Sequence, residues 1–111
     1  HTIDPSEALP AQALRTERHP LIRFRRGAAG RCEPHLTGSR LKVRQIVASI
    51  RGHDGDIDQT ASTLSLSPGT IRAAVAYYAD FASEVDADAE WAERVEADER
   101  SHWELQQSAI A

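Results

Sequence analysis

The residues of this chain that are best suited to chemistry lie between positions 67 and 72, at the junction of two short apolar segments. Ser67, Thr70 and Arg72 follow closely on one another and offer hydroxyl and guanidinium groups. Such groups bond to phosphate oxygens and to base edges in the major groove. With basic residues upstream, they make a candidate DNA-binding surface of Arg40, Lys42, Arg44, Ser67, Thr70, Arg72 and Ala73. The alternative is a segment used only for packing or dimerisation, because Arg72 is the single basic residue between Ser67 and Phe81.

A second cluster of cations lies upstream of that surface. Its members are Arg23, Arg25, Arg26 and Arg31. They predict either contacts with phosphate or an edge strand to which a second chain adds. The alternative is that their charge keeps an exposed strand edge from aggregating.

The end of the chain combines acidic residues with an apolar stripe. At about 100° per helical residue, the stripe comprises Trp91, Val95, His102 and Leu105, with Asp98 as an interruption. Such a stripe outside the main core predicts a partner surface. The candidate partner-binding residues are Trp91, Val95, His102, Trp103 and Leu105. The alternative is that the two tryptophans pack back on their own domain or across a dimer.

Catalytic and metal chemistry find little support in the remaining polar residues. The five histidines lack the short spacing of metal ligands, and Cys32 with His35 forms only an isolated pair. Serine, histidine and aspartate are present without the strand–turn–helix setting of a nucleophile. Gly27 and Gly30 belong to a turn and not to a phosphate-cradling loop. We therefore expect no enzyme activity, no metal and no cofactor.

Composition indicates one small domain with extensions, since the chain has 111 residues. Only 5% of the residues are aromatic, so aliphatic side chains must build the core. The net charge of −4 hides a split between +6 in residues 1–51 and −10 in residues 52–111. The split predicts that one half meets an anionic surface and the other a cationic one, unless the two halves partly neutralise each other. A single cysteine, no visible signal peptide and no membrane-length apolar run indicate the cytoplasm.

A helix-turn-helix is the element that must position the first group of residues. Asp56 and Gln59 form a capping-box pattern for a short first helix. Ser67 caps the second helix and Pro68 takes its first position, where a missing N–H costs nothing. Apolar residues recur there at helical spacing, at Ile71, Ala74, Val75 and Tyr78. The predicted core consists of Ile46, Val47, Ile50, Leu64, Leu66, Ile71 and Val75.

The other elements are a hairpin and two flanking helices. Alternation from Leu21 to Arg25 and a turn over residues 26–30 predict a β-hairpin, with Pro34 at an edge or end of the returning strand. Residues 37–39 start the helix that precedes the helix-turn-helix, and Ser83 or Asp86 opens a last helix that runs to about Gln107. The fold is therefore expected to be mainly α with a small β-hairpin. Its parts are an N-terminal arm (1–19, with at most one helical turn over 6–14), a hairpin plus helix-turn-helix domain (20–82) and a C-terminal acidic helix (83–111).

The segment from Gly27 to Val43 reads Gly-x-x-Gly-x-x-x-x-x-Leu-Thr-Gly-Ser-Arg-Leu-x-Val, and an aromatic stretch over residues 77–81 follows the helix-turn-helix. This pattern resembles the bacterial domain-of-unknown-function family 433 over residues 19–87, although Ser39 replaces the threonine usual there. The resemblance implies a hairpin with a winged-helix-like core. It also implies a VapB-like antitoxin that blocks a PIN-like ribonuclease toxin and represses its own operon. The alternatives are a stand-alone helix-turn-helix DNA-binding regulator and a structural dimerisation module. Few phosphate contacts per chain favour a homodimer.

Overall fold

The structure is a computed structural model that describes residues 14–27 and 30–110. A short helical segment over residues 14–18 precedes the main elements. These are β1 (Ile22–Arg26), β2 (Cys32–Leu36), α1 (Val43–Gly52), α2 (Ile57–Leu64) and α3 (Pro68–Ile110). The predicted fold class, mainly helical with a small β-hairpin, is confirmed. Residues 1–13 of the predicted arm (1–19), most of its predicted helical turn (6–14) and residues 28–29 of the predicted hairpin turn lie outside the described residues.

The two strands form an antiparallel hairpin in which Ile22 lies opposite Leu36 and Phe24 opposite Pro34. Ile22 and Leu36 are fully buried, and Phe24 packs against the core. The predicted alternation of β1 is therefore confirmed. Pro34 stands in the middle of its strand, where its missing N–H is tolerated because each strand of a two-stranded sheet has one unpaired edge.

Helix α1 begins later than the sequence indicates. Gly38 adopts a φ of 79°, and the hydroxyl of Ser39 accepts a hydrogen bond from the backbone N–H of Leu41 at 3.0 Å. These contacts make residues 37–40 a turn, so the prediction that the helix starts at residues 37–39 is wrong. Lys42 occupies the cap position, where its backbone N–H donates to Oε1 of Gln45 at 2.9 Å.

The helix-turn-helix is formed by α2 and the start of α3. The carboxylate of Asp56 accepts a hydrogen bond from the backbone N–H of Gln59 at 2.9 Å, as the capping pattern predicts. Ser65 turns the chain through a left-handed conformation with φ of 57°. The hydroxyl of Ser67 accepts from the backbone N–H of Thr70 at 3.2 Å, and α3 begins at Pro68. Both predicted caps are thereby confirmed, but the backbone N–H of Asp56 donates to the carbonyl of His53 at 3.0 Å and not to Gln59, so the capping box is only half formed.

The core lies where the hairpin, α1 and the start of α3 meet. It consists of the buried residues Ile22, Leu36, Val43, Ile46, Val47, Ala61, Ile71, Ala74, Tyr77 and Val85, with Ile50, Leu64 and Leu66 packed against them. Val75 was expected in this core, but its side chain is 39% exposed. The buried face of α3 passes through Ala74 and Tyr77 instead, which turns Val75 towards solvent and leaves Tyr78 only half-buried.

Helix α3 spans Pro68–Ile110 and consists of two helical segments that meet at Phe81, so the predicted break before a last helix is present, just ahead of Ser83 and not at Asp86. Its path kinks at Phe81, whose φ of −132° and ψ of 37° leave the helical region. Beyond the kink, Val85 is still buried, so the first turn of the second segment of α3 also packs against the core. Within residues 14–27 and 30–110, no helix is long and apolar enough to span a bilayer.

Candidate nucleic-acid and partner-binding surfaces

The kink in α3 is held from both sides by residues that precede β1. Arg15 donates two hydrogen bonds to the carboxylate of Glu84, at 2.6 and 3.1 Å, and its guanidinium lies 4.1 Å from the ring centroid of Phe81. The hydrogen bonds from Arg15 hold the pKa of Glu84 below its usual value. On the other side of the kink, Nε2 of His19 lies 2.8 Å from Oδ2 of Asp80. These contacts fix the direction in which α3 continues.

A second attachment joins the hairpin to α3 beyond the kink. Arg31 donates to Oδ1 of Asp88 at 2.5 Å and lies 4.7 Å above the ring of Trp91. Burial raises the pKa of Asp88 above its usual value, although the hydrogen bond from Arg31 opposes this effect. Trp91, predicted to bind a partner, is therefore half-buried against its own chain.

A third attachment connects α1 to α3. Arg51 donates to the hydroxyl of Tyr78 at 2.8 Å, and that hydroxyl donates to Oδ1 of Asp86 at 2.8 Å. Acidic residues of α3 thus form ion pairs with basic residues of the first half of the chain at several points. Part of the charge split is neutralised within the molecule.

The predicted DNA-binding residues of α3 differ in whether their side chains are exposed and without a partner among the described residues. The hydroxyls of Ser67 and Thr70 lie 2.8 Å apart and cap the helix, so both are already engaged. Ala73 is half-buried and lines a hollow of about 180 Å³ beside His19. Arg72 is exposed and makes no ion pair with the described residues. A contact with a base edge would therefore fall mainly to Arg72.

The residues predicted to contact the DNA backbone also differ in whether they already have a partner. They are Arg40, Lys42 and Arg44. Nε of Arg44 donates to Oε2 of Glu33 at 3.1 Å, and Nζ of Lys42 lies 3.9 Å from the same oxygen. Glu33 is only 5% exposed, so it is a buried carboxylate that needs both cations. Arg40 is exposed and has no ion-pair partner among the described residues.

The outer face of the hairpin forms a groove that brings Arg25 and Arg26 of the predicted hairpin cluster together with Arg40 and Lys42 of the predicted DNA-binding surface. The hairpin groove has a volume of about 310 Å³ and is lined by Arg25, Arg26, Glu33, His35, Arg40 and Lys42. The register explains its composition, because Arg25 pairs with Glu33 and Arg23 with His35 on the face opposite the core. The isolated pairing of His35 with Lys42 brings the segment before α1 alongside β2. Alternation along β2 could have suggested that Glu33 and His35 share this face.

The last part of α3 stands away from the core. Trp91 and Val95 are half-buried, but every residue from Glu96 to Ile110 is exposed, and we call this stretch the α3 tail. Trp103 is 60% exposed and Leu105 is 68% exposed. His102 is exposed too. The predicted partner-binding residues are therefore divided between the half-buried part of α3, with Trp91 and Val95, and the exposed α3 tail. Ile110 at the helix end is another exposed apolar residue, which the sequence stripe did not include.

No group of histidine, cysteine, aspartate or glutamate side chains suited to a metal ion occurs in the described part of the chain. Comparison of the chain with protein-family models, with curated proteins and with solved structures finds no significant match to any of them. The resemblance to the domain-of-unknown-function family 433 therefore stays a prediction based on the residues that carry it.

Proposed function

We propose that this protein is the antitoxin of a toxin–antitoxin pair. In this proposal, the α3 tail binds and neutralises a PIN-like ribonuclease, and the helix-turn-helix of a homodimer represses the operon. The observation that carries the proposal is the tail itself. It consists of fifteen successive exposed residues at the end of a helix that is firmly attached to the core up to Trp91.

The shape of α3 suits a helix that docks into another protein. At about 1.5 Å per residue, the helix continues for roughly 37 Å beyond Val85. Its exposed Trp103 and Leu105 offer an aromatic and an aliphatic anchor, and hot spots in interfaces are enriched in tryptophan. Trp103 and Ile110 are seven residues apart and share one face of the helix, as anchors do in helices that dock into an apolar groove, whereas Leu105 lies with His102 on the other side.

The charge of this helix favours a cationic partner. Residues 90–110 contain six acidic residues and two arginines, which gives a net charge of −4. A ribonuclease must attract a phosphate backbone, so its substrate groove is expected to be positive. Acidic residues around an apolar anchor would speed the encounter with such a groove and exclude RNA from it.

The experiment starts from the reading frame beside the gene. Its product should co-purify with the full chain and lose ribonuclease activity in the complex. A chain that ends at Glu96 keeps Val85, Asp88, Trp91 and Val95, so its fold should persist. We expect that this shortened chain no longer inhibits the nuclease. Full inhibition by the shortened chain would move the contact to the hairpin or the core.

A stand-alone DNA-binding regulator is the second candidate, and the exposed, unpaired Arg72 favours it. In that case the protein should bind its own upstream DNA tightly without any partner. Arg72→Ala should then lower the preference for that DNA over a scrambled sequence, because arginine can read guanine. Arg40→Ala should weaken binding to both DNAs alike, because a phosphate contact carries no sequence information. Equal affinity of the unaltered protein for both DNAs would remove the repressor function.

A further inference from the structure

The hairpin groove gathers several cations that take part in no ion pair within residues 14–27 and 30–110. Arg25, Arg26 and Arg40 are exposed and make no ion pair with the described residues. Arg15, Arg31 and Arg44, in contrast, are each paired with a carboxylate. Three unpaired arginines around one concave surface repel one another unless an anion lies between them.

A buried polar atom belongs to the same groove. His35 is only 8% exposed, and its Nδ1 is buried without a hydrogen-bond partner among the described residues. A buried nitrogen without a partner costs free energy, which a hydrogen bond to a ligand in the groove would recover. Glu33 is no substitute for an external anion, because its carboxylate already contacts Lys42 and Arg44.

We infer that the hairpin groove is a phosphate-binding site in which Arg25, Arg26 and Arg40 contact the anion and His35 forms the wall. Guanidinium groups bind phosphate through paired N–H donors, and the groove is large enough for one phosphate group with its hydration. The phosphate comes either from a nucleic-acid backbone or from a small phosphorylated ligand, since both present the same oxygens. The inference does not depend on the proposed ribonuclease partner.

Binding should change the protonation of His35. Burial lowers the pKa of His35 below its usual value, and the charge of Arg25 lowers it further. A bound phosphate neutralises that positive charge and favours the imidazolium form. The charged groups that face His35 are Arg23 and Arg25 on β1, Glu33 on β2, and Arg40 and Lys42 before α1.

The test measures binding of inorganic phosphate to the full chain by calorimetry, together with the pKa of His35 by NMR. Saturating phosphate should raise that pKa by about 1, the lower end of the effect of a neighbouring opposite charge. The double variant Arg25→Gln/Arg40→Gln should bind phosphate at least tenfold more weakly. The control Arg94→Gln/Arg100→Gln removes the same charge from exposed arginines outside the groove and should change the affinity less than twofold. Equal losses in both double variants, or an unchanged pKa of His35, would overturn the inference.

Two further measurements identify the source of the phosphate and the part played by His35. If the ligand is a nucleic-acid backbone, Arg25→Gln/Arg40→Gln should weaken binding to a DNA duplex of any sequence and reduce its salt dependence. If only inorganic phosphate and pyrophosphate lose affinity, the ligand is a small phosphorylated molecule. His35→Gln should keep phosphate binding. Because phosphate itself titrates near neutrality, the pH dependence is measured with sulfate, whose charge is constant there, and His35→Gln should abolish it. A pH dependence of sulfate binding that persists in this variant would contradict the part assigned to His35.

Discussion

Arg31 donates a hydrogen bond to Asp88 across 2.5 Å and so joins the hairpin to α3 beyond the kink. The same guanidinium lies above the ring of Trp91, which makes Arg31 one of several links between the basic and acidic halves of the chain. The direction of the α3 tail depends on this link and on the contact of Arg15 with Glu84.

We predict that removal of Arg31 destabilises the fold more than neutralisation of its partner. Arg31→Ala leaves the half-buried Asp88 without its hydrogen-bonded cation and with only the longer-range charge of Arg44, whereas Asp88→Asn leaves a neutral group that burial already favours. Because the pair is partly exposed, Arg31→Ala should cost about 1–3 kcal/mol of unfolding free energy. Urea denaturation of both variants tests this, and a larger loss for Asp88→Asn would contradict it.

We also predict unequal effects at two neighbouring apolar positions of α3. Ile71 is fully buried, so Ile71→Ala should lower the free energy of unfolding by about 2–5 kcal/mol. Val75 is 39% exposed, so Val75→Ala should cost less than about 1 kcal/mol and serves as the matched control. Equal shifts of the two denaturation midpoints would show that the buried face of α3 is assigned incorrectly.

A third prediction concerns acid stability. The pKa of His35 is lowered in the folded state, so the unfolded chain takes up a proton first as the pH falls. The contribution of His35 to stability is therefore complete above about pH 6.5 and decreases as the pH falls from there towards the folded-state pKa. His35→Gln should flatten the stability profile in this window. An equally steep profile in the variant would assign the acid sensitivity to other groups.

A fourth prediction follows from the uneven burial of α3. Amide hydrogens of α3 up to about Trp91 should exchange slowly, because the core and the three side-chain attachments hold this part. Amides of residues 97–110 should exchange much faster, since no residue of the α3 tail is buried. Hydrogen exchange at low protein concentration measures the gradient along the helix. Uniform protection would indicate that the tail associates with a second copy of the chain.

The sequence alone was sufficient to predict the features that depend on residues close together in the chain. The caps at Asp56 and Ser67 depend on hydrogen bonds to backbone groups three residues away, and both occur as predicted. The alternation of Ile22 with its basic neighbours likewise identifies the buried face of β1. Each of these features is set by residues that are close in the chain.

Features that depend on distant contacts could not be predicted in this way. The buried face of α3 passes through Tyr77 and not Val75, because α1 and the hairpin select one of two apolar faces. The break near residue 82 was predicted, but the contacts of Arg15 with Phe81 and Glu84 that hold it join residues far apart in the sequence. The hairpin groove likewise requires the pairing of β2 with Lys42, for which the sequence offers no local signal.

The central claim is that the α3 tail carries the contact with the nuclease, and the affinity of a tail variant tests it most directly. Trp103→Ala/Leu105→Ala changes only exposed side chains, so the fold should be unaffected. If these residues are the anchors, the dissociation constant for the co-encoded nuclease should rise by roughly 30-fold or more, the equivalent of about 2 kcal/mol. Arg100→Ala, another exposed change in the tail, serves as the control and should alter it little. An unchanged dissociation constant for the double variant would contradict the account.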